Sequence, residues 1–276
     1  MATTFEPDLI SCATCGVEAT TPLPAVCPIC ADERQWVPAS GQAWTTQADL
    51  AARSVVTVGQ VDERQWSVTA SDVGIGQTMQ VIRTADGVVL WDPIGLVDRG
   101  AVGFIESLGP VIAVVASHPH MYGAQVAWSR ALDDAPVLIS RPDAGWVQRR
   151  DERLVEIEGA HRLAEDAEIV TLGGHFAGSL VLHWTSGADG RGVLLAGDTI
   201  MANPDRSSVS FMRSYPNRIP LSGSTVERML ATLGERSYSR LWSNFANAIT
   251  EDADRVVAAS AARHIGWVTG AFDDAT

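Results

Sequence analysis

Three histidines and one aspartate carry the chemistry most legible in this chain. Ser117-His118-Pro119-His120 follows directly on the apolar run 111–116, Val-Ile-Ala-Val-Val-Ala, which reads as a fully buried strand. Polar ligands belong at the C-terminal mouth of such a strand, where open α/β sheets bind theirs, and His-x-His there can turn both imidazoles toward one ion. His175 stands among glycines in Gly173-Gly174-His175-Phe176-Ala177-Gly178-Ser179, again at a strand end. Asp198 ends another apolar strand in Leu194-Leu195-Ala196-Gly197-Asp198-Thr199. Three nitrogen donors and one oxygen donor suit zinc with an open position for water.

A second donor set lies near the N-terminus. Cys12-x2-Cys15 and Cys27-x2-Cys30 are separated by 11 residues and contain every cysteine of the chain. A CxxC turn points two thiolates at one ion, and two such turns complete a tetrahedral shell of four sulfurs. Two disulfides are the competing reading, but the N-terminus has neither the basic start nor the apolar core of a secretion signal. A redox CxxC needs only one pair and a βαβ context. A structural zinc is the expectation, with rubredoxin-like iron as the alternative. Its role is folding, since residues 1–40 are too poor in core residues to order themselves.

The elements around these residues read as follows. Val55–Val58 and Trp66–Thr69 are short strands. Thr78–Arg83 and Val88–Trp91 flank Ala85-Asp86-Gly87, a hairpin signal. Helices are expected over 98–108, 123–132 and 144–150, and strands over 136–140, 168–172, 180–184, 193–196 and 238–242. Residues 201–222 read as a loop, Ser224-Thr225-Val226-Glu227 as a capping box opening a helix, and 252–264 as a last helix. Residues 41–54 read as a short linking helix or loop. Hairpins followed by strand–helix alternation, twice over, predict an α+β chain of two packed sheets with helices outside. The division is a four-cysteine metal-binding segment, 1–40, and one large domain, 41–276. Asp-Glu-Arg-Gln-Trp occurs at both 32–36 and 62–66 without surrounding similarity, so it is no structural repeat. Gly74-Ile75-Gly76 lacks the third glycine of a dinucleotide fingerprint.

The strand leading to Asp92, the His118-Pro119-His120 loop, Gly-Gly-His175 and Gly-Asp198-Thr together resemble four successive motifs of the metallo-β-lactamase superfamily. The resemblance runs from about residue 55 to 250 and implies the αββα sandwich of that fold. The His175 and Asp198 segments are most similar to the thiolesterase (glyoxalase II-like) and persulfide dioxygenase branches. Two departures stand out. The family's first motif reads His-x-His-x-Asp-His, and here its last two positions are Tyr122 and Gly123. Its final histidine is replaced within Trp242-Ser243-Asn244-Phe245. Those missing groups hold the second metal in binuclear relatives, so the resemblance implies one catalytic metal, held by His118, His120, His175 and Asp198. Water acidified by the metal to a pKa near 7 would attack a carbonyl carbon with Asp198 as the base. Tyr122 is either a hydrogen-bond donor to the oxyanion or a packing residue of its loop.

Of the other histidines, His183 reads as a core residue, His161 as surface, and His264 as a cation at a helix C-terminus. The segment Asp205–Ser222 should overhang the metal. Its Arg206, Arg213, Tyr215, Asn217 and Arg218 are candidates for binding a carboxylate or thioester tail. Arg141, Arg149, Arg150 and Arg153 read as a solvated helix face. A net charge of −13 disfavours a long polyanion, so nucleic acid is not an expected partner. No apolar run is long enough to span a membrane. A cytoplasmic enzyme acting on a small molecule is expected, with a homodimer left open. The first reading is a zinc hydrolase of an ester, thioester or amide. The alternatives are a persulfide-dioxygenase-like enzyme with one iron on His118, His175 and Asp198, and a non-catalytic binding protein that keeps the fold.

Overall fold

β-branched runs separated by Asp-Gly and Gly-Pro breaks build a sheet whose strands lie in chain order. The protein is described here by a computed structural model covering residues 4–276. It divides into two units, the first running to Ile157 and the second spanning Glu158–Thr276. The first unit opens with β1 (Ile10–Cys12), β2 (Glu18–Ala19) and β3 (Trp44–Thr46), a small antiparallel sheet in the order β2-β1-β3. The expected linker 41–54 is therefore β3 followed by helix α1 (Gln47–Arg53), whose N-cap Thr46 accepts from the Asp49 amide.

Then come β4 (Val56–Asp62), β5 (Gln65–Ala70), β6 (Met79–Arg83), β7 (Val88–Trp91), α2 (Arg99–Leu108), β8 (Val111–Val115), α3 (Gln125–Ala131), β9 (Val137–Ser140) and β10 (Leu154–Ile157). Strands β4 to β7 are successive antiparallel hairpins, with Arg83 paired to Val88 across the Asp-Gly turn. From β7 to β10 every pairing is parallel. This change from antiparallel to parallel is what brings the ends of β7 and β8 to one edge of the sheet. Residues 141–146 form a 3-10 turn, one register before the helix expected over 144–150.

The second unit holds β11 (Ala160–Ala164), β12 (Ala167–Thr171), β13 (Leu180–Trp184), a single turn α4 (Gly187–Gly190), β14 (Val193–Leu195), β15 (Met201–Ala202), β16 (Val209–Ser210), β17 (Met212–Ser214), β18 (Ile219–Pro220), α5 (Gly223–Leu233), β19 (Arg240–Trp242), β20 (Ala248–Ile249) and α6 (Ala253–Val268). Six of these strands form one sheet, in the order β11-β12-β13-β14-β19-β20. The segment expected as a loop, 201–222, contains two small hairpins, β15–β16 and β17–β18. Helix α5 starts one turn-fraction early, because Ser222 rather than Ser224 accepts from the Thr225 amide. Its Val226 and Met229 join Leu172, Val181 and Leu194 of the sheet and Val257 of α6 in one apolar core.

The cysteine segment is tied into the first unit by a buried carboxylate. Helix α3 has Ala124 at its N-cap, a residue with no oxygen to offer, and no side-chain cap of its own. Glu18 of β2 supplies the cap from a distance. Its Oε1 accepts from the Val126 amide at 2.5 Å and its Oε2 from the Ala127 amide at 3.2 Å, satisfying two orphan donors at the positive end of the helix. The Arg149 guanidinium donates to the same Oε2 at 2.9 Å and to Glu6 at 2.8 Å. Arg149 is buried, and Arg153 pairs with Asp134 and Asp151. Of the four arginines expected as a solvated face, Arg149 and Arg153 are thus structural, while Arg141 and Arg150 are exposed. Replacing Glu18 by alanine leaves Arg149 buried beside an empty place, and we expect a loss of about 3–5 kcal/mol in denaturant unfolding, with Glu18→Gln retaining part of it through its acceptor oxygen.

Candidate metal centre

In each unit, strand ends that share one sheet edge carry the candidate ligands. In the first unit, Trp91 of β7 is in register with Val115 of the parallel β8, so the residues that follow emerge together. Asp92 is left-handed (φ +58°) and its Oδ1 accepts from the Ser117 amide at 2.6 Å. That bond anchors the loop start. His118 is extended, and a 3-10 turn over Pro119–Met121 then brings His120 round beside it, with ring centroids 5.4 Å apart. Ser117 Oγ lies 2.9 Å from His118 Nδ1.

In the second unit, Leu195 of β14 is in register with Trp242 of the parallel β19. Asp198 and Asn244 therefore leave adjacent strand ends, and Asn244 Nδ2 donates to Asp198 Oδ1 at 2.9 Å. His175 sits in the connection between β12 and β13, where Gly173 and Gly174 have φ of +70° and +92°. A Cβ on Gly174 would come within 2.7 Å of Met229 Sδ, so only glycine lets the loop pass this close to α5. His175 Nδ1 lies 3.0 Å from the Met212 carbonyl. A carbonyl can only accept, so Nδ1 carries the proton and Nε2 holds the lone pair.

His118 and His120 in the first unit, and His175 and Asp198 in the second, are all buried. Each pair has donors of the kind that suit a divalent ion of the zinc type: imidazoles with one nitrogen oriented by an outer partner, and a carboxylate held by an amide. The four cysteines, all in the first unit, offer one ligand atom each within 4.8 Å of the others. None is in a disulfide, and Cys12 Sγ–Cys30 Sγ and Cys15 Sγ–Cys27 Sγ are 3.4 and 3.8 Å apart. Four sulfurs about 2.3 Å from one ion would sit about 3.8 Å from each other. The thiols' mutual hydrogen bonds push Cys12 down and Cys15 and Cys30 up, the response of ionisable groups crowded around one point.

The positions that depart from the binuclear motif have structural reasons. Gly123 is left-handed (φ +48°), and a Cβ there would lie 1.9 Å from the Pro93 carbonyl oxygen. No histidine fits on this backbone. The Tyr122 hydroxyl, considered above as an oxyanion donor, donates to the Asp143 carbonyl at 2.9 Å and is buried. Its one proton is committed there, which is the packing role. Asn244, where the resemblance expects the family's final histidine, instead donates to the carboxylate of Asp198. Among the expected substrate-binding residues, Arg213 and Asn217 are exposed, while the Tyr215 hydroxyl donates to the Asp198 carbonyl oxygen at 2.9 Å and its ring lies 5.9 Å from that of His175. Tyr215 thus braces two of the candidate ligand residues. His183 Nε2 and His264 Nε2 lie 2.8 Å from the Ser237 and Leu221 carbonyls, outside the ligand group.

One residue near the centre gives no sequence signal for this site. Asp32, from the cysteine segment, places Oδ1 3.8 Å from His120 Nε2. Burial opposes its ionisation, but the hydrogen bonds from Arg34, together with the nearby His120 ring, hold its carboxyl far below the usual range. His120 is pushed below the usual imidazole range by burial, against the pull of Asp32. No spacing rule links residue 32 to residue 120.

Burial also pushes the Asp198 carboxyl up to about 7, with Asn244 opposing. The sign follows from linkage: a carboxyl whose folded pKa is raised stabilises the fold below its ordinary pKa and withdraws that support as pH rises through the folded value. Metal-free protein should therefore lose up to about 4 kcal/mol between about pH 4 and pH 7 through this group, and Asp198→Asn should lack this dependence. Denaturant unfolding of both proteins across that range, in the presence of chelator, measures the difference.

The chain is 38% identical over 260 residues to the uncharacterized protein YmaE of Bacillus subtilis (strain 168), covering 92% of this chain and 94% of that one. No protein-family model matches it. Among solved structures it is similar to the DIM-1 metallo-beta-lactamase, with a TM-score of 0.56 at 12% identity over 78% of this chain and 98% of that one. It is also similar to the metallo-beta-lactamase FIM-1 from Pseudomonas aeruginosa in its mono-zinc form, with a TM-score of 0.51 at 14% identity over 75% and 95%. At such identities the likeness is one of fold, and it agrees with the sandwich expected from the sequence. The chain belongs to the same family as YmaE and has the metallo-β-lactamase fold.

Proposed function

We propose that the protein is a hydrolase with a single catalytic metal, most simply zinc, acting on a small ester, thioester or amide. The observation that carries this is the buried pair His118 and His120 in the first unit and the buried pair His175 and Asp198 in the second, which the motif resemblance assigns to one ion, combined with the backbone at Gly123 that excludes a second-site histidine. A divalent ion held by these four residues supplies an acidified water and a Lewis acid for the carbonyl oxygen.

The remaining contributions belong to the chain itself. Met212 orients His175 through its carbonyl, and Ser117 stands beside His118. Asn244 donates to one oxygen of Asp198 and holds its orientation, and the carboxylate would act as a ligand or take the proton of a water. Arg213 and Asn217 lie exposed on and after β17, the strand whose Met212 contacts His175. That position favours a substrate with an anionic tail.

Elemental analysis of purified protein tests the reading. We expect two zinc per chain, one lost in His175→Ala and the other in Cys27→Ser. His175→Ala should also lower hydrolysis of small thioesters and esters by more than the about 100-fold typical of losing an outer partner of a metal ligand. Iron as the His175-dependent metal would replace the hydrolase by the persulfide-dioxygenase-like alternative. Absence of any His175-dependent metal would leave a non-catalytic protein.

A further inference from the structure

Two of the three histidines of the candidate centre have a polar partner on Nδ1. His118 has Ser117 Oγ at 2.9 Å and His175 has the Met212 carbonyl at 3.0 Å, each on Nδ1. A metal-binding imidazole is normally oriented by such a partner on its other nitrogen. The candidate partner for His120 is the carboxylate of Asp32, 3.8 Å from its Nε2 and at ion-pair rather than hydrogen-bond range, so that this histidine would ligate through Nδ1. Asp32 lies two residues beyond Cys30.

Asp32 is held firmly. The Arg34 guanidinium donates to both carboxylate oxygens, from Nε to Oδ1 at 2.6 Å and from Nη2 to Oδ2 at 2.7 Å, and the Arg34 amide donates to Oδ1 at 2.9 Å. The guanidinium in turn lies over the Trp146 ring at 5.7 Å. The side chains of Asp32, Arg34 and His120 are 11%, 8% and 3% exposed. A carboxylate this buried and this tied to Arg34 keeps its place only while the cysteine segment keeps its fold. The surrounding elements offer it two cationic or cation-forming groups, Arg34 and His120.

We propose that Asp32 is a positioning residue for the metal centre: it orients His120, and through it the four-cysteine segment sets the affinity of the histidine-bound metal. The two metal sites are then coupled, and loss of the cysteine-bound ion weakens the other. This inference rests on the metal-binding reading given under Proposed function.

The test measures the affinity of the His175-dependent zinc by chelator competition in the wild type, Asp32→Asn and Asp32→Glu. It also records the visible spectrum of the protein with cobalt at that site. Asp32→Asn should bind zinc there about 10–100-fold more weakly and shift the cobalt bands, with the cysteine-bound zinc still at one per chain. Asp32→Glu should recover part of the affinity. In a His120→Ala background, Asp32→Asn should cost nothing further. Affinity within twofold of wild type and an unchanged cobalt spectrum would overturn the proposal. So would loss of the cysteine-bound zinc or of folding in Asp32→Asn, which would make Asp32 a residue of the segment's own fold. Wild-type protein with no His175-dependent metal would overturn the underlying reading, a result separate from both.

Discussion

A carboxylate as deeply buried as Asp198 is an unfavourable arrangement unless a cation joins it. Burial pushes its carboxyl up to about 7 against the opposing hydrogen bond from Asn244. Removing an anion from water costs several kcal/mol that neutral neighbours do not return. Within each unit, much of the surrounding architecture serves to present the candidate donors and hold their orientation. Parallel strand pairs set the ends of β7 beside β8 and of β14 beside β19, and glycine at 173 and 174 gives His175 its approach.

The absence of a second set of ligands is built into the backbone rather than being a matter of side chains alone. Gly123 turns left-handed against the Pro93 carbonyl, and Tyr122 spends its hydroxyl on Asp143. Restoring the side chains of a binuclear motif at these positions would break the loop that presents His118 and His120. Asn244 shows the complementary change: a position available to a ligand has become a donor that holds Asp198. A single-metal centre is a consistent outcome of all three substitutions.

The cysteine segment is more than an appendage by the same measure. Glu18 caps a helix that has no cap of its own, and Arg149 is neutralised by that same carboxylate. Asp32 reaches toward a ligand histidine. A metal-stabilised segment suits this work, because it holds short polar side chains at fixed points without a large apolar core of its own.

The sequence by itself determined the two donor sets, the departures from the binuclear motif, and most strands and helices. Each of these is written in local patterns: two CxxC pairs, His-x-His after an apolar run, an Asp-Gly turn, a period of apolar residues. The hairpins within 201–222, the strands β10, β11 and β20 and the cap at Ser222 lay below that signal, because their runs are two to five residues long and take their stability from pairing. The roles of Glu18, Asp32, Asn244 and Gly123 were decided only by tertiary structure. Glu18 meets its amides across 108 residues, and Asn244 meets Asp198 across 46. At such separations, spacing in the chain carries no information about distance in space; register between strands and the packing of backbone on backbone supply it.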